Sequence, residues 1–208
     1  MNNLLTHTFL GTREEWLNSV ADELNSRVFK QAGHELPPVK LSCSWALGNR
    51  AKNKKTLGQC FPRGVSKAGI NEIMIVPTVA DSVEIADTLA HELVHAVDDC
   101  KSGHGKGFKD ICLAVGLDGE TKMKHAKAGE KLLTEIKSIV KGLGDYPHSE
   151  IDITERKKQT TRQKKVQCEN CESIFYTSRT HIEKLHELSP CPFCSEEGHL
   201  ICMETGLN

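Results

Sequence analysis

Residues 91–95 read His-Glu-Leu-Val-His, in the middle of a stretch from Asp81 to Asp99 whose apolar residues recur with the period of a helix. At 100° per residue, Ala86, Leu89, Ala90, Leu93 and Val97 cluster on one side, and His91 and His95 fall on the other, one turn apart. Asp81, with Glu84 three residues on, supplies the start signal, and Pro77 ends the segment before it. Two imidazoles at i and i+4 can reach one ion that prefers tetrahedral coordination. Glu92 follows His91 directly and is offset around the helix. It is poorly placed to bind the same ion and well placed to reach a water on it. Those are the parts of a metal-dependent hydrolase: the ion polarises a carbonyl and acidifies water, and a carboxylate moves the proton to the leaving amine.

A catalytic zinc usually takes a third protein ligand and keeps one position open. The metzincin spacing would require that ligand at position 101, which is a lysine, Lys101. His104 stands nine residues after His95 in Ser-Gly-His-Gly-Lys-Gly-Phe. Its flanking glycines permit a sharp turn that returns the imidazole toward the helix. Asp98, Asp99, His125 and Glu130 are its competitors.

Around this centre the pattern reads as α+β. Thr12 and Glu15 have capping-box spacing before a helix with Trp16, Leu17, Val20, Ala21, Leu24 and Val28 on one face. Three short strand-like runs follow, Val39–Leu47, Thr56–Phe61 and Asn71–Val76, which predict a small antiparallel or mixed sheet. Beyond the His-Glu-Leu-Val-His helix, Phe108, Ile111, Cys112 and Val115 mark another helix that Gly116 stops. The last helix of this part is expected over Ala126–Lys141, with Leu132, Leu133, Ile136, Ile139 and Val140 as its apolar stripe.

Cys168 and Cys171, then Cys191 and Cys194, form two CxxC pairs with 19 residues between them. Four thiolates at this spacing predict a closed structural zinc site in a small ribbon, which has too few large apolar residues to fold without metal. In front of it, Glu155–Val166 carries six basic residues, Arg156, Lys157, Lys158, Arg162, Lys164 and Lys165, against one acid. This run reads either as a solvated linker or, with Phe175, Tyr176 and Arg179 as a stacking surface, as a contact for nucleic-acid phosphates. The expected division is 1–145 for the main domain, 146–166 for a basic linker and 167–208 for the ribbon.

The remaining cysteines, Cys43, Cys60, Cys100, Cys112 and Cys202, read as small buried hydrophobes. The net charge of −1 in 208 residues points to no partner, and no run approaches the 18 apolar residues of a membrane helix. The first residues have no basic segment followed by an apolar core, so they do not read as a secretory signal. A cytoplasmic setting is the default expectation, and there a disulfide framework is not expected.

His-Glu-Leu-Val-His, followed after a short loop by Gly-His-Gly-Lys-Gly-Phe and a helix, resembles the SprT-like (Spartan-like) zinc metalloproteases. The likeness extends upstream to Trp45, to residues 57–62 and to residues 71–77, so that roughly residues 10–145 are covered. It is similar in particular to the short members encoded in phage and prophage genomes, which would place it in a host cytoplasm. The resemblance implies a zincin-like domain with His91, His95 and His104 on a catalytic zinc and Glu92 as base. It also implies proteins bound or crosslinked to DNA, single- or double-stranded, as substrates. The loop between His95 and the Gly-His-Gly is shorter than in the eukaryotic members. The expectation is therefore a zinc endopeptidase with one catalytic and one structural Zn²⁺. The rivals are a nucleic-acid-binding or transcription-associated adaptor, or a virion component, with structural zinc and little or no proteolysis.

Overall fold

The computed structural model describes residues 7–47, 56–119, 123–152, 163–178, 180–181, 191, 193–194 and 200–202. The chain divides into two units, Met1–Ile153 and Thr154–Asn208.

In the first unit, α1 (Arg13–Leu24) starts at a capping box: Thr12 Oγ1 accepts from the Glu15 N–H, and Glu15 Oε2 accepts from the Thr12 N–H at 2.7 Å. A π turn (Asn25–Phe29) and a 3-10 turn (Lys30–Ala32) prolong it, and Gly33, at φ 78°, closes them. The apolar face therefore continues past α1 to Val28, as the periodicity showed, and Phe29 beside it is buried as well. Trp16 is enclosed completely, its ring edge-on to Tyr146 and its Nε1–H donating to the Gly144 carbonyl at 2.9 Å. That bond satisfies the one polar atom of a large buried ring and ties the start of this unit to its end.

The sheet is mixed, in the order β1-β3-β2. β1 (Val39–Cys43) runs parallel to β3 (Asn71–Ile75), and β2 (Gly58–Phe61) lies antiparallel to β3 on its other side, with Cys60 opposite Ile73. The centre of β3 alternates as a half-buried strand should, with Ile73 and Ile75 in the core.

α2 (Ser82–Val97) carries residues 91–95, and Asp81 Oδ1 caps it by accepting from the Glu84 N–H at 2.8 Å. The sequence pattern implied one apolar stripe, with the two histidines on the face away from the core. The structure differs: α2 is the central helix and touches β2, β3, α1, α3, α4 and β5. Glu92 and His95 are consequently buried along with Leu89, Ala90, Leu93 and Val94. Leu89, Leu93 and Val94, fully enclosed, contribute about 1.5–3 kcal/mol each.

α3 (Lys106–Val115) ends on Gly116 at φ 88°, as expected. A two-stranded ladder missed by the periodicity follows, β4 (Leu117–Asp118) against β5 (Lys127–Ala128). It delays α4, which begins at Glu130 behind Gly129 and runs to Leu143. Residues 126–129 are thus not helical, because residues 127 and 128 are paired with Leu117 and Asp118. α4 buries Leu132, Ile136, Ile139 and Val140.

In the second unit, β6 (Lys164–Cys168) is the middle of an antiparallel sheet with β7 (Ile174–Thr177) and β8 (Leu200–Cys202). β6 begins inside the stretch read as linker. The whole is a mixed α+β chain with four α-helices and small sheets among the described residues. None of those helices is long and apolar enough to cross a membrane.

Candidate functional site

α2 presents His91 and His95 on successive turns, and the loop after it brings back His104. One ligand atom from each of the three lies within 4.8 Å of the others. His95 Nε2 and His104 Nε2 are 3.3 Å apart. Tetrahedral Zn–N bonds of about 2.0–2.1 Å separate neighbouring nitrogens by ~3.4 Å, so this pair fits two corners of a zinc site.

Local sequence explains the return of the loop. Asp98 Oδ2 accepts from the Ser102 N–H at 2.6 Å, and Asp98 Oδ1 from the Ser102 hydroxyl at 3.1 Å. Gly103 has φ 52°, where a side chain is strained, and a Cβ on Gly105 would stand 2.9 Å from the Ser102 carbonyl oxygen. Gly105 then caps α3, which sets Phe108 beneath the site. Phe108 is fully buried and its ring touches all three imidazoles, stacked on His95 at a centroid distance of 4.1 Å and 5.1 Å from His91 and from His104. Sequence reasoning gave Phe108 only a core role. The signal was its place directly after the Gly-His-Gly-Lys-Gly run.

Burial lowers the pKa of His91 to about 4, with His104 adding to the effect and a hydrogen bond to the Ala126 backbone opposing it. The neutral ring is the form that binds metal, and a backbone partner of this kind fixes the orientation of a ligand ring. Ala126 was not foreseen, because its role depends on where the turn before β5 falls. Asp87 secures that strand: its carboxylate accepts from the Ala128 N–H at 2.7 Å and pairs with Lys127 at 3.3 Å.

Glu92 is 7% exposed and packs against β2 where that strand has Gly58. A Cβ there would meet Glu92 Cγ at 2.7 Å and Oε1 at 2.8 Å. The carboxylate thus lies in a slot that requires glycine. The other candidate ligands sit elsewhere. Asp98 holds Ser102, while Asp99 accepts from the Arg63 N–H and the Asn71 side chain. His125 and Glu130 are exposed and outside the three-histidine group. Met123 is buried in the core at φ 50°.

The second unit gathers Cys168, Cys171, Cys191 and Cys194 within the same 4.8 Å limit. Cys168 and Cys194 sulfurs are 3.9 Å apart, and those of Cys171 and Cys191 3.6 Å. Tetrahedral Zn–S bonds of about 2.3 Å imply ~3.8 Å between sulfurs. The Phe193 N–H points at the Cys191 sulfur at 3.4 Å, and hydrogen bonds from Ser173 lower the Cys171 thiol to about 6. Both donor sets are consistent with zinc.

Of the six basic residues, Lys164 and Lys165 lie on β6, opposite Thr177 and Tyr176, and Tyr176 is 61% exposed. Arg156, Lys157, Lys158 and Arg162 lie outside the described residues, as does Arg179. Among the scattered cysteines, Cys112 behaves as a buried hydrophobe, and burial pushes its thiol up to about 12. Cys43, Cys60 and Cys100 are only half-buried.

A family model described as SprT-like family matches residues 17–127, just over half of the chain, and this span includes Glu92 and all three histidines. No curated protein and no solved structure matches the chain.

Proposed function

The chain belongs to the SprT-like family, and from that premise we propose that it is a zinc-dependent endopeptidase with a zincin-like catalytic domain in which His91, His95 and His104 hold the metal and Glu92 is the general base. The observation that carries this reading is the convergence of three imidazole nitrogens around α2, with a buried carboxylate on the residue next to the first of them. Zinc held there would polarise the scissile carbonyl and acidify a water molecule. Glu92 takes the proton of that water and passes it to the leaving amine. Gly58 and the enclosed position of Glu92 limit its rotamers, so the carboxylate is oriented before substrate arrives. Phe108 keeps the three rings together as a dry floor.

We assign residues 1–145 to this catalytic domain, 146–166 to a basic linker and 167–208 to a ribbon closed by a structural zinc on Cys168, Cys171, Cys191 and Cys194. The substrates we propose are proteins associated with or crosslinked to DNA. Supporting this are the family premise and the basic run from Arg156 to Lys165. Lys165, cross-strand from exposed Tyr176, adds a place for a phosphate beside a place for a base to stack.

The test is degradation of DNA-bound proteins by zinc-loaded protein, with and without single-stranded DNA, comparing wild type with Glu92→Gln. Cleavage that disappears in Glu92→Gln is expected. DNA binding without any Glu92-dependent cleavage would favour an adaptor instead. Neutralising Arg156, Lys157, Lys158, Arg162, Lys164 and Lys165 should weaken DNA affinity and flatten its salt dependence. Unchanged affinity would remove DNA contact from the proposal.

A further inference from the structure

Cys60 and Cys100 do not fit the role of small core residues. They are forty positions apart in the chain, yet their sulfurs are 3.5 Å apart. The Cys100 sulfur also lies 3.7 Å from the Cys60 carbonyl oxygen. Both residues are half-buried, so a small oxidant has access that a core thiol lacks.

Each sulfur stands on a fixed support. Cys60 belongs to β2, which is hydrogen-bonded along β3. Cys100 follows α2, and its N–H donates to the His95 carbonyl at 2.8 Å. The preceding Asp99 carboxylate accepts from the Arg63 N–H at 2.9 Å and from the Asn71 side chain at 3.2 Å, which fastens this turn to the β2–β3 connection. Asp99 and Cys100 have φ of 53° and 56°, a left-handed conformation uncommon for non-glycine residues, held by these bonds.

We propose that Cys60 and Cys100 form a reversible oxidation site, closing into a disulfide that ties β2 to the turn leading toward His104. With a peroxide as oxidant, one thiol, as its thiolate, attacks a peroxide oxygen. The O–O bond breaks, a sulfenic acid forms and one water leaves. The second thiol attacks that sulfur, the S–O bond breaks, and a second water leaves as the S–S bond forms. Two thiols and one hydrogen peroxide give one disulfide and two waters, and a dithiol reductant returns both electrons. The sulfurs must approach from 3.5 Å to about 2.05 Å. β2 is an edge strand of its sheet, paired to β3 on one side, so the approach is made without breaking a second strand pairing among the described residues. The closed loop encompasses all of α2, so oxidation stiffens the frame around residues 91–95 whatever they bind.

The experiment uses the full zinc-loaded chain, treated with hydrogen peroxide, alkylated and digested with trypsin. Residues 56–63 and 68–101 are released as separate peptides with one cysteine each. The expected product joins the two peptides, is lighter by two hydrogens than their sum, and separates on reduction. It is absent from Cys60→Ser and from Cys100→Ser. Oxidation should raise the wild-type Tm by roughly 5–10 °C more than it moves that of Cys60→Ser. Recovery of both peptides singly alkylated or singly oxidised overturns the proposal, as does a crosslink with no gain in Tm. If the serine variants do not fold, mapping oxidised against reduced wild type decides the matter alone.

Discussion

Gly58→Ala isolates what the β2 strand does for Glu92. The change adds one methyl group at a backbone that alanine can adopt, since Gly58 is not among the positive-φ glycines. The new Cβ would stand 2.7 Å from Glu92 Cγ, 2.8 Å from Oε1 and 3.0 Å from Thr88 Cγ2. Ordinary contact begins at 3.4 Å, so relief at Cγ alone needs a displacement of 0.7 Å. Glu92 is enclosed, so most of that displacement falls on its carboxylate or on the strand. A misplacement of about 1 Å in a catalytic array costs on the order of 10²-fold in rate, equivalent to about 2.7 kcal/mol in the barrier. The assay is kcat/KM for cleavage of a DNA-bound protein, alongside zinc content and the thermal transition of the same preparation. The expected result is a fall of about 10²-fold with zinc content unchanged, because the three atoms nearest the new methyl belong to Glu92 and Thr88 and not to a histidine. A folded, zinc-loaded Gly58→Ala protein that cleaves like wild type would refute the claim that the glycine slot orients Glu92.

Phe108→Ala should cost about 3–5 kcal/mol of stability through the cavity it leaves. It should also weaken zinc binding by roughly tenfold, because three imidazoles lose the ring that orders them; a variant with wild-type zinc affinity would show that the ring contacts only fill space. The Asp99 pKa is lowered, chiefly by the Arg63 N–H, so its contribution to stability is present above the unfolded value near 3.8 and lost as pH falls through the lower folded value. The stability gap between wild type and Asp99→Asn should therefore be constant at neutral pH and close under acid; a gap that persists unchanged at low pH would contradict this. Chelation of zinc, or Cys171→Ser with Cys194→Ser, should abolish the hydrogen-exchange protection of β6 and β7 while that of α1 and α4 persists, since among the described residues the buried cluster of the second unit is Val166 with Cys168 and Cys191.

The parts of the site that sequence revealed are those whose chemistry is local. His91 and His95 share a face because a helix repeats every 3.6 residues, and two glycines announce a turn around His104, Gly103 through its left-handed backbone and Gly105 through the lack of room for a Cβ. The two CxxC pairs are likewise short-range knuckles. What the sequence did not disclose depends on elements distant in the chain meeting at α2. The periodicity of α2 described one apolar stripe, whereas its other faces are covered by β2, α3 and β5, each from a different stretch. Those same three supply the features that were missed: Gly58 against Glu92 from β2, Phe108 under the histidines from α3, and Ala126 with Lys127 beside His91 at the approach to β5. The same argument accounts for the misplaced start of α4, whose apolar stripe was legible. Residues 127 and 128 were claimed by a ladder to residues 117 and 118 that no local pattern encodes. A helix of this kind thus declares its candidate ligands in sequence. The enclosure that keeps one ring neutral, one carboxylate oriented and one floor dry is a property of the fold, and substitutions that alter activity without touching a ligand should concentrate at Gly58, Phe108 and the β4–β5 ladder.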